Sequence, residues 1–177
     1  MSIANNMGGT TFTGVEQGGK IQRKNLITVA EWSTGSDTIR EILGTRTEDS
    51  SIELNPDIET ITDILGITYT DVNKTEPQQD FDPFNLLEGS DLSEYLAEAF
   101  AENDITKYSN AFTVYIIEAF DMTSGKYKTI KHSHCSIIPT SLGGDAYLSM
   151  PIEVHFSNEI EIGSIDNLAS NFEFTKD

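Results

Sequence analysis

The chain has 177 residues, of which 37% are hydrophobic, and a formal net charge of −18 at pH 7. This length allows one well-buried core, since a domain of about 150 residues hides roughly 70% of its unfolded surface. The charge excludes the basic footprint that DNA-binding proteins use to neutralise phosphates, and the single Cys135 excludes an internal disulfide. No apolar run reaches the ~20 residues that span a membrane. The start, MSIANNMGG, lacks the charged and apolar segments of a signal peptide, so we do not expect secretion by that route.

The negative charge is concentrated in one part of the chain. Residues 47–104 hold 16 Asp and Glu against Lys74 alone, whereas residues 105–135 hold two acidic residues against four lysines. On composition alone, solubility is the preferred explanation of the acidity. The asymmetry also suits a subunit whose acidic face meets a basic face of a neighbour or repels another acidic molecule.

The first fifty residues are predicted to form a flexible arm followed by the start of the folded domain. Residues 1–19 are rich in Gly, Asn and Thr, which is typical of a flexible N-terminal arm, so a single domain is expected over residues 20–177. A strand with apolar groups on both faces is predicted from about Asn25 to Thr34. The spacing of Ser36 to Leu43 predicts a helical turn, which Gly44 would end.

The most acidic stretch has the period-two alternation of β-strands. This alternation runs through residues 52–65 and 67–74. Pro77 and Pro83 would then prevent continuous sheet pairing, because proline cannot donate to a ladder. An exposed, extended loop is therefore predicted at about residues 76–88.

The strongest helical pattern lies at Asp91–Glu102. Apolar residues recur at i, i+3, i+4, i+7 and i+8, in the order Leu92, Tyr95, Leu96, Ala99 and Phe100. Ser90 or Asp91 can cap the start. The opposite face carries three glutamates at i, i+4 and i+8, which weaken an isolated helix by a few tenths of a kcal/mol per pair. The helix is therefore expected to pack on the domain through Leu92, Leu96 and Phe100.

The last third of the chain is predicted to be β-structure. Ala111 to Asp121 has apolar residues on both faces, as a central strand does. Ser124-Gly125 supplies a tight turn into a strand from Lys126 to Ile138, whose lysines make this hairpin an expected cationic patch. Ala146 to Ser157 has the cleanest alternation in the chain, and the tail from Glu159 can add a last strand.

This order of elements predicts a mainly β (α+β) fold. We expect an antiparallel β-sandwich of two packed sheets with one flanking α-helix and extended arms. Two packed sheets are favoured over a closed barrel. The sequence has no βαβ alternation and no detectable internal repeat.

A metal site is not predicted, although His132, His134 and Cys135 are good zinc-ligand types. On an extended strand the two histidines would share one face and the cysteine would point to the other, so the three cannot converge without a bend. A fourth ligand, such as His155, would also be needed. Surface histidines and a buried cysteine are the preferred interpretation.

Calcium binding and catalysis are not predicted either. The oxygen-bearing residues of the central stretch follow no D-x-[DN]-x-[DN]-G loop, and a solvated acidic arm explains them better; they are Asp71, Asn73, Asp80 and Asp82. There is no G-x-S-x-G, and the paired glycines match no phosphate-binding loop. We therefore predict no enzyme activity, no cofactor and no metal.

The order of signals from Ile52 to Glu98 resembles the tail tube (major tail) proteins of long-tailed bacteriophages. The motifs that carry the resemblance are I-E-L-N-P-D, I-T-D-I-L-G-I-T, D-V-N-K-T-E and Q-Q-D-F-D-P-F-N-L, followed by the short amphipathic helix. They cover about a quarter of the chain closely, and the remainder is similar only in its pattern of strands.

The resemblance implies a structural subunit. Such subunits join edge to edge into hexameric rings, and the rings stack into a hollow tube through which DNA passes without specific binding during genome delivery. The implied partners are other copies of the chain, the tape-measure protein and other tail proteins, with no membrane. The implied location is the virion tail, after synthesis in the host cytoplasm. Unpaired strand edges suit assembly by strand addition.

The candidate lumen-facing residues are Glu59 and Asp63. Alternation places them on one face of a central strand, on either side of Ile61, and a ring of identical subunits would repeat that face around its axis. Acidic groups there would repel phosphates and let DNA slide. The outside of the tube is an equally good location, because alternation gives the face and not its direction.

Two alternatives to a phage tail tube stay open from the sequence. One is the tube subunit of a phage-tail-like secretion system or bacteriocin, which carries no genome. The other is a monomeric acidic β-sandwich that binds a ligand. Assembly state separates the second alternative from the tubes.

Overall fold

The computed structural model describes residues 20–47, 49–168 and 172–177, so the predicted arm at residues 1–19 lies outside the described residues. The strands are β1 (Leu26–Thr34), β2 (Asp37–Ile42), β3 (Ile52–Glu53), β4 (Pro56–Thr62), β5 (Thr68–Thr75), β6 (Gln78–Phe81), β7 (Phe112–Thr123), β8 (Lys126–Pro139), β9 (Ile152–His155), β10 (Ile160–Ile165) and β11 (Phe174–Lys176). The helices are α1 (Asp91–Glu102), which matches the predicted range, and α2 (Ile105–Tyr108), with a 3-10 turn at Arg23–Asn25.

Nine strands form one antiparallel sheet that folds over at β8. The hydrogen-bonded order is β2-β1-β7-β8-β9-β6-β3, with β10 also paired to β8 and β11 to β10. The first half of β8 pairs with β7 and β10, and its last residues, Ser136 to Pro139, pair with β9. Between them His134 has φ 56°, which bends the strand. The two halves of the sheet become two packed layers, so the predicted antiparallel sandwich is confirmed.

The core consists of two apolar clusters on the two faces of β1 and β7. The larger one lies between the layers and beneath α1: Ala30, Trp32, Leu43, Phe81, Phe84, Leu92, Leu96, Phe112, Val114, Ile116, Cys135, Ile137, Met150, Ile152, Val154 and Phe156. The smaller one is completed by β10 and the C-terminal segment: Ile27, Val29, Tyr115, Ile117, Ala119, Ile165, Leu168 and Phe172. The prediction of apolar groups on both faces of these two strands is confirmed.

Helix α1 is fixed at its start by β2. The Ser90 hydroxyl accepts a hydrogen bond from the Ser93 amide at 3.0 Å, and it donates to a carboxylate oxygen of Glu41 at 2.6 Å. The other oxygen of Glu41 accepts from the Leu92 amide at 3.0 Å. These bonds satisfy amides that a helix N-terminus leaves without partners, and they fix α1 against the edge of the sheet.

The predicted packing face of α1 is wrong at one position. Leu92, Leu96 and Ala99 are fully buried, whereas Phe100 is 39% exposed. In this last turn α1 contacts α2, where Lys107 donates to Glu98 and Glu102 at 2.9 and 2.8 Å. The lysine offsets the repulsion between the glutamates of the exposed face.

The helical turn predicted at Ser36 to Leu43 is instead strand β2. Gly35, with φ 65°, opens a two-residue turn that brings Asp37 opposite Thr34. β2 then pairs with β1 along its whole length. The free edge of β1 supplies backbone partners that an isolated turn of helix lacks, so tertiary pairing overrides the local pattern.

The extended loop predicted at about residues 76–88 contains β6, so the expectation of an exposed segment is wrong there. Gln79 and Phe81 are each only 1% exposed, and β6 pairs with β9 and β3. Pro77 and Pro83 flank this strand and do not interrupt it, which is the position that the chemistry of proline allows.

The strand predicted from Ala146 to Ser157 forms only over Ile152–His155. Before it, the chain folds into an irregular loop closed by backbone hydrogen bonds between Gly143 and Ser149. Gly144 has φ 144°, and a Cβ at this residue would lie 1.9 Å from the carbonyl oxygen of Tyr147. Leu148, which the alternation from Ala146 would place on the same face as the buried Met150, is 53% exposed in this loop.

Candidate interaction site

A hairpin arm extends from the sandwich between β3 and β6. We define the arm as residues 54–76; its strands β4 and β5 form a separate two-stranded sheet, paired from Pro56 opposite Thr75 to Thr62 opposite Thr68. Every residue of both strands is exposed. A two-stranded hairpin alone in water is marginally stable, so an exposed arm of this length is expected to be completed by another surface.

The arm carries large apolar side chains that the rest of the described chain does not cover. Their exposed fractions lie between 49% and 102%, and they are Leu54, Ile58, Ile61, Ile64, Leu65, Ile67, Tyr69 and Val72. Single exposed apolar residues are common on soluble proteins, but eight of them on one hairpin, spread over both faces and the tip, indicate an interaction surface.

The two faces of the arm differ in charge. The β-branched face consists of the cross-strand pairs Ile58–Val72, Thr60–Thr70 and Thr62–Thr68 and carries no charge. The acidic face holds Glu59 directly opposite Asp71, and next to them Ile61 opposite Tyr69. Like charges in directly opposite positions destabilise a strand pair. The stability of the isolated subunit therefore does not explain why Glu59 and Asp71 lie opposite each other.

Both predicted lumen residues lie on the arm, but only Glu59 lies in a strand, β4. Asp63 follows β4 at the start of the turn, so it does not share a strand face with Glu59 as predicted. Its carboxylate accepts hydrogen bonds from the amides of Leu65 at 2.8 Å and Ile67 at 2.9 Å. These bonds close the turn between β4 and β5, in which Gly66 has φ 79°. Glu59 has no comparable structural bond among the described residues and lies on the acidic face.

The histidine and cysteine group does not converge. His132 is 6% exposed and Cys135 is fully buried. His134 points to the surface, where its Nδ1 lies 2.8 Å from a carboxylate oxygen of Glu159. The expectation that the two histidines share a face is wrong, because the bend at His134 interrupts the alternation. No group of three or more metal-ligand side chains is found among the described residues.

The buried His132 should make the stability of the fold depend on pH. Its Nδ1 donates to the Ser157 carbonyl at 3.1 Å and its ring contacts Phe156. Burial lowers the pKa of His132, against the opposing effect of that hydrogen bond. The unfolded chain therefore binds the proton more readily, so this contribution to stability is present above the ordinary histidine pKa of about 6.5 and is lost as the pH falls below it.

We expect the melting temperature to fall between about pH 7.5 and 5.5, and to fall less in His132→Phe, which cannot be protonated. Thermal melts followed by circular dichroism at several pH values would give the slope of melting temperature against pH for both proteins. His134→Asn is the control: His134 and its partner Glu159 are both exposed, so losing this solvent-screened pair should change the dependence of the melting temperature on pH far less than the change at His132 does. Equal slopes for His132→Phe and the wild type would contradict the assignment.

The four residues considered for calcium are not brought together. Asp80 and Asp82 line a surface cavity of about 210 Å³ with Asp49 and Glu53. Asp71 lies on the arm, opposite Glu59. The structure therefore separates the acidic residues that the sequence placed in one stretch.

The cationic patch predicted on the β7–β8 hairpin is largely neutralised within the subunit. Lys128 lies 2.8 Å from a carboxylate oxygen of Glu118, and Lys131 lies 2.9 Å from one of Glu161. Lys176 of β11 also reaches Glu161 at 2.9 Å, and the two lysines lower the pKa of Glu161 to about 2. The hairpin itself places Glu118 opposite Lys128, whereas pairing with β10 places Glu161 opposite Lys131, which the local sequence could not show.

Comparisons with known proteins assign the chain to no family. No protein-family model matches the chain, and no curated protein matches it in sequence. One solved structure with a similar chain is the six-fold symmetrised cryo-EM structure of the anti-feeding prophage baseplate, with 11% identity over 84% of this chain and 97% of that chain and a TM-score of 0.46. Among the described residues, no helix is long and apolar enough to cross a bilayer.

Proposed function

We propose that this chain is a structural subunit of a bacteriophage tail tube, which forms hexameric rings that stack into a hollow tube for DNA passage. The observation that carries the proposal is the exposed arm with its eight large apolar side chains. Covering them in an assembly would contribute about 25 cal/mol for each Å² of apolar surface removed from water. The resemblance of residues 52–98 to tail tube proteins, which includes the whole arm, supports the same function.

The edges of the folded sheet offer further sites for assembly. Among the described strands, β2 pairs with β1 alone, β3 with β6 alone and β11 with β10 alone. Each edge therefore presents backbone groups that a strand of a neighbouring subunit could pair with. Lateral pairing through such edges would close a ring, while the arm would reach a further subunit. Tape-measure and other tail proteins are the additional partners of this proposal, and the virion tail is its location.

We also propose that Glu59 and Asp63 face the lumen. Asp71 lies opposite Glu59, so the arm concentrates carboxylates on one face. The opposite, β-branched face has no charge and is better suited to contact with a neighbouring subunit. Carboxylates around a channel would repel phosphates, which favours sliding of DNA over binding.

Electron microscopy and light scattering of the purified chain test the proposed function. We expect rings or tubes that grow with protein concentration, because each added subunit covers exposed arms. A species of 19.6 kDa that persists as a monomer at high concentration would contradict the proposal and favour a monomeric binding module.

Reversing the charge of the acidic face should slow DNA passage without preventing assembly. The appropriate change is Glu59→Lys combined with Asp63→Asn, since asparagine keeps an oxygen for the turn amides that Asp63 binds. Each ring would then present cationic contacts to phosphate. The measurement is the rate of genome ejection from phage that carry the altered subunit.

The control for this experiment is Glu173→Lys, which makes the same Glu-to-Lys reversal as Glu59→Lys but on the exposed segment before β11. Phage with this control should eject at the normal rate. A normal rate in the doubly changed phage as well would place Glu59 and Asp63 on the outer wall.

A further inference from the structure

The arm is attached to the sandwich by a short ladder. β3 contributes two register pairs, Ile52 with Gln79 and Glu53 with Gln78. At the root of the arm, Asn55 has φ 43° and precedes Pro56, so the strand turns where the arm begins. A two-residue edge strand followed by such a turn does not by itself fix the direction of an exposed hairpin.

A buried polar network lies directly behind this ladder. Thr28 of β1 donates its hydroxyl to the side-chain oxygen of Gln79 at 2.9 Å, and the amide nitrogen of Gln79 donates to the Ser50 hydroxyl at 3.1 Å. That hydroxyl donates in turn to the Asp80 carbonyl at 2.7 Å. Thr28, Ser50 and Gln79 are exposed by 3%, 9% and 1% respectively. The network thus joins β1 of one layer to β6 of the other and to the segment that leads into β3.

Arg23 fixes the same segment from outside. Its Nε and Nη2 both donate to the Ser50 carbonyl, at 3.0 and 2.8 Å, and its Nη1 donates to the Leu26 carbonyl at 2.6 Å. The Ser50 carbonyl is therefore hydrogen-bonded to Arg23 on the outside, and the Ser50 hydroxyl is hydrogen-bonded to β6 on the inside. We call these four residues, Arg23, Thr28, Ser50 and Gln79, the Ser50 clamp.

We propose that the Ser50 clamp is a positioning device that sets the direction of the arm relative to the sandwich. Hydrogen bonds depend on direction and an apolar contact does not, so a buried polar network can select one arrangement of the segment that it binds. An alternative position of β3 would leave buried hydrogen-bonding groups of Gln79 and Ser50 without partners, which is unfavourable. The effect of the clamp on assembly rests on the proposed function, whereas its effect on the direction of the arm does not.

Distances between spin labels on the arm and on the sandwich test this proposal. Labels are attached through Leu65→Cys at the tip of the arm, where the native side chain is 79% exposed, and Glu94→Cys on the exposed face of α1. The native Cys135 is fully buried and stays unlabelled. Ser50→Ala removes the hydroxyl that links the segment before β3 to Gln79 and Asp80 of β6. The adjacent Ser51→Ala is the matched control because Ser51 is exposed.

We expect Ser50→Ala to roughly double the width of the distance distribution, since the segment loses two directional hydrogen bonds. Ser51→Ala should give the narrow distribution of the parent protein. Unchanged width in a folded Ser50→Ala protein would overturn the proposal. If Ser50→Ala does not fold, Arg23→Lys at the exposed Arg23 provides the test. A lysine cannot donate the two parallel hydrogen bonds that Arg23 makes to the Ser50 carbonyl, so the distance distribution must become wider.

Tube assembly of the same variants without labels separates the two proposals. Fewer or irregular tubes from Ser50→Ala and normal tubes from Ser51→Ala are expected. If the parent protein makes no tubes, the proposed function fails, yet the distance measurement on the monomer still supports or overturns the clamp.

Discussion

Replacing residues 56–75 with a two-residue Asn-Gly turn should give a folded subunit that no longer assembles. Every residue removed from β4 and β5 is exposed, so both core clusters stay complete. Asn55 and Glu76 already bond across the root of the arm, with the side-chain Nδ2 of Asn55 donating to the Glu76 carbonyl at 3.3 Å. A tight turn can therefore close the gap.

The expected loss of assembly is large because apolar contacts are removed together. Burying one large apolar side chain contributes about 1.5 to 3 kcal/mol, so losing two such contacts weakens association by roughly a hundredfold or more. Sedimentation or light scattering over a concentration series would measure the threshold for assembly. The buried Trp32, which is 2% exposed, reports through near-ultraviolet circular dichroism whether the shortened subunit keeps its packing.

Partial changes at the tip provide a graded comparison. Ile64→Ser and Leu65→Ser remove the two most exposed apolar side chains of the arm, which are 102% and 79% exposed, and leave the hairpin in place. Their assembly thresholds should lie between those of the parent and the shortened subunit. An unchanged threshold in the shortened subunit would show that the arm takes no part in assembly.

Leu96→Ala should destabilise the fold by about 2 to 5 kcal/mol. Leu96 is fully buried between α1 and the sheet, in the cluster that also holds Trp32 and Phe112. Truncation removes favourable transfer energy and leaves a cavity that the surrounding aromatic rings can only partly fill. Chemical denaturation at constant pH measures this free energy, provided that the transition has two states.

Phe100→Ala is the matched comparison on the same helix. Phe100 is 39% exposed, so its truncation should cost less than half of the loss at Leu96. Both variants keep a residue with good helix propensity, and the difference between them therefore reports packing. A larger loss at Phe100 than at Leu96 would show that the last turn of α1 and the α1–α2 contact dominate its attachment.

Elements with strong local signals could be predicted from the sequence. Helix α1 begins and ends where its apolar period and its caps predict, because capping bonds and helix periodicity involve residues a few positions apart. The β7–β8 hairpin likewise follows from apolar alternation on both sides of the Ser124-Gly125 turn. The period-two alternation was also sufficient to predict β4 and β5, but it extended the first strand through Asp63, which instead closes the turn after β4.

Only the tertiary structure decided which of the strands would be covered. β4, β5 and β6 follow one another in an acidic stretch interrupted by prolines. Yet β6 is paired on both sides and buries Gln79 and Phe81, while every residue of β4 and β5 is exposed. The partner of β6 lies more than 70 residues further along the chain, and β2 became a strand through the free edge of β1. Burial depends on such long-range pairing. Local periodicity shows only which residues would share a face of a strand, and not whether that face is covered.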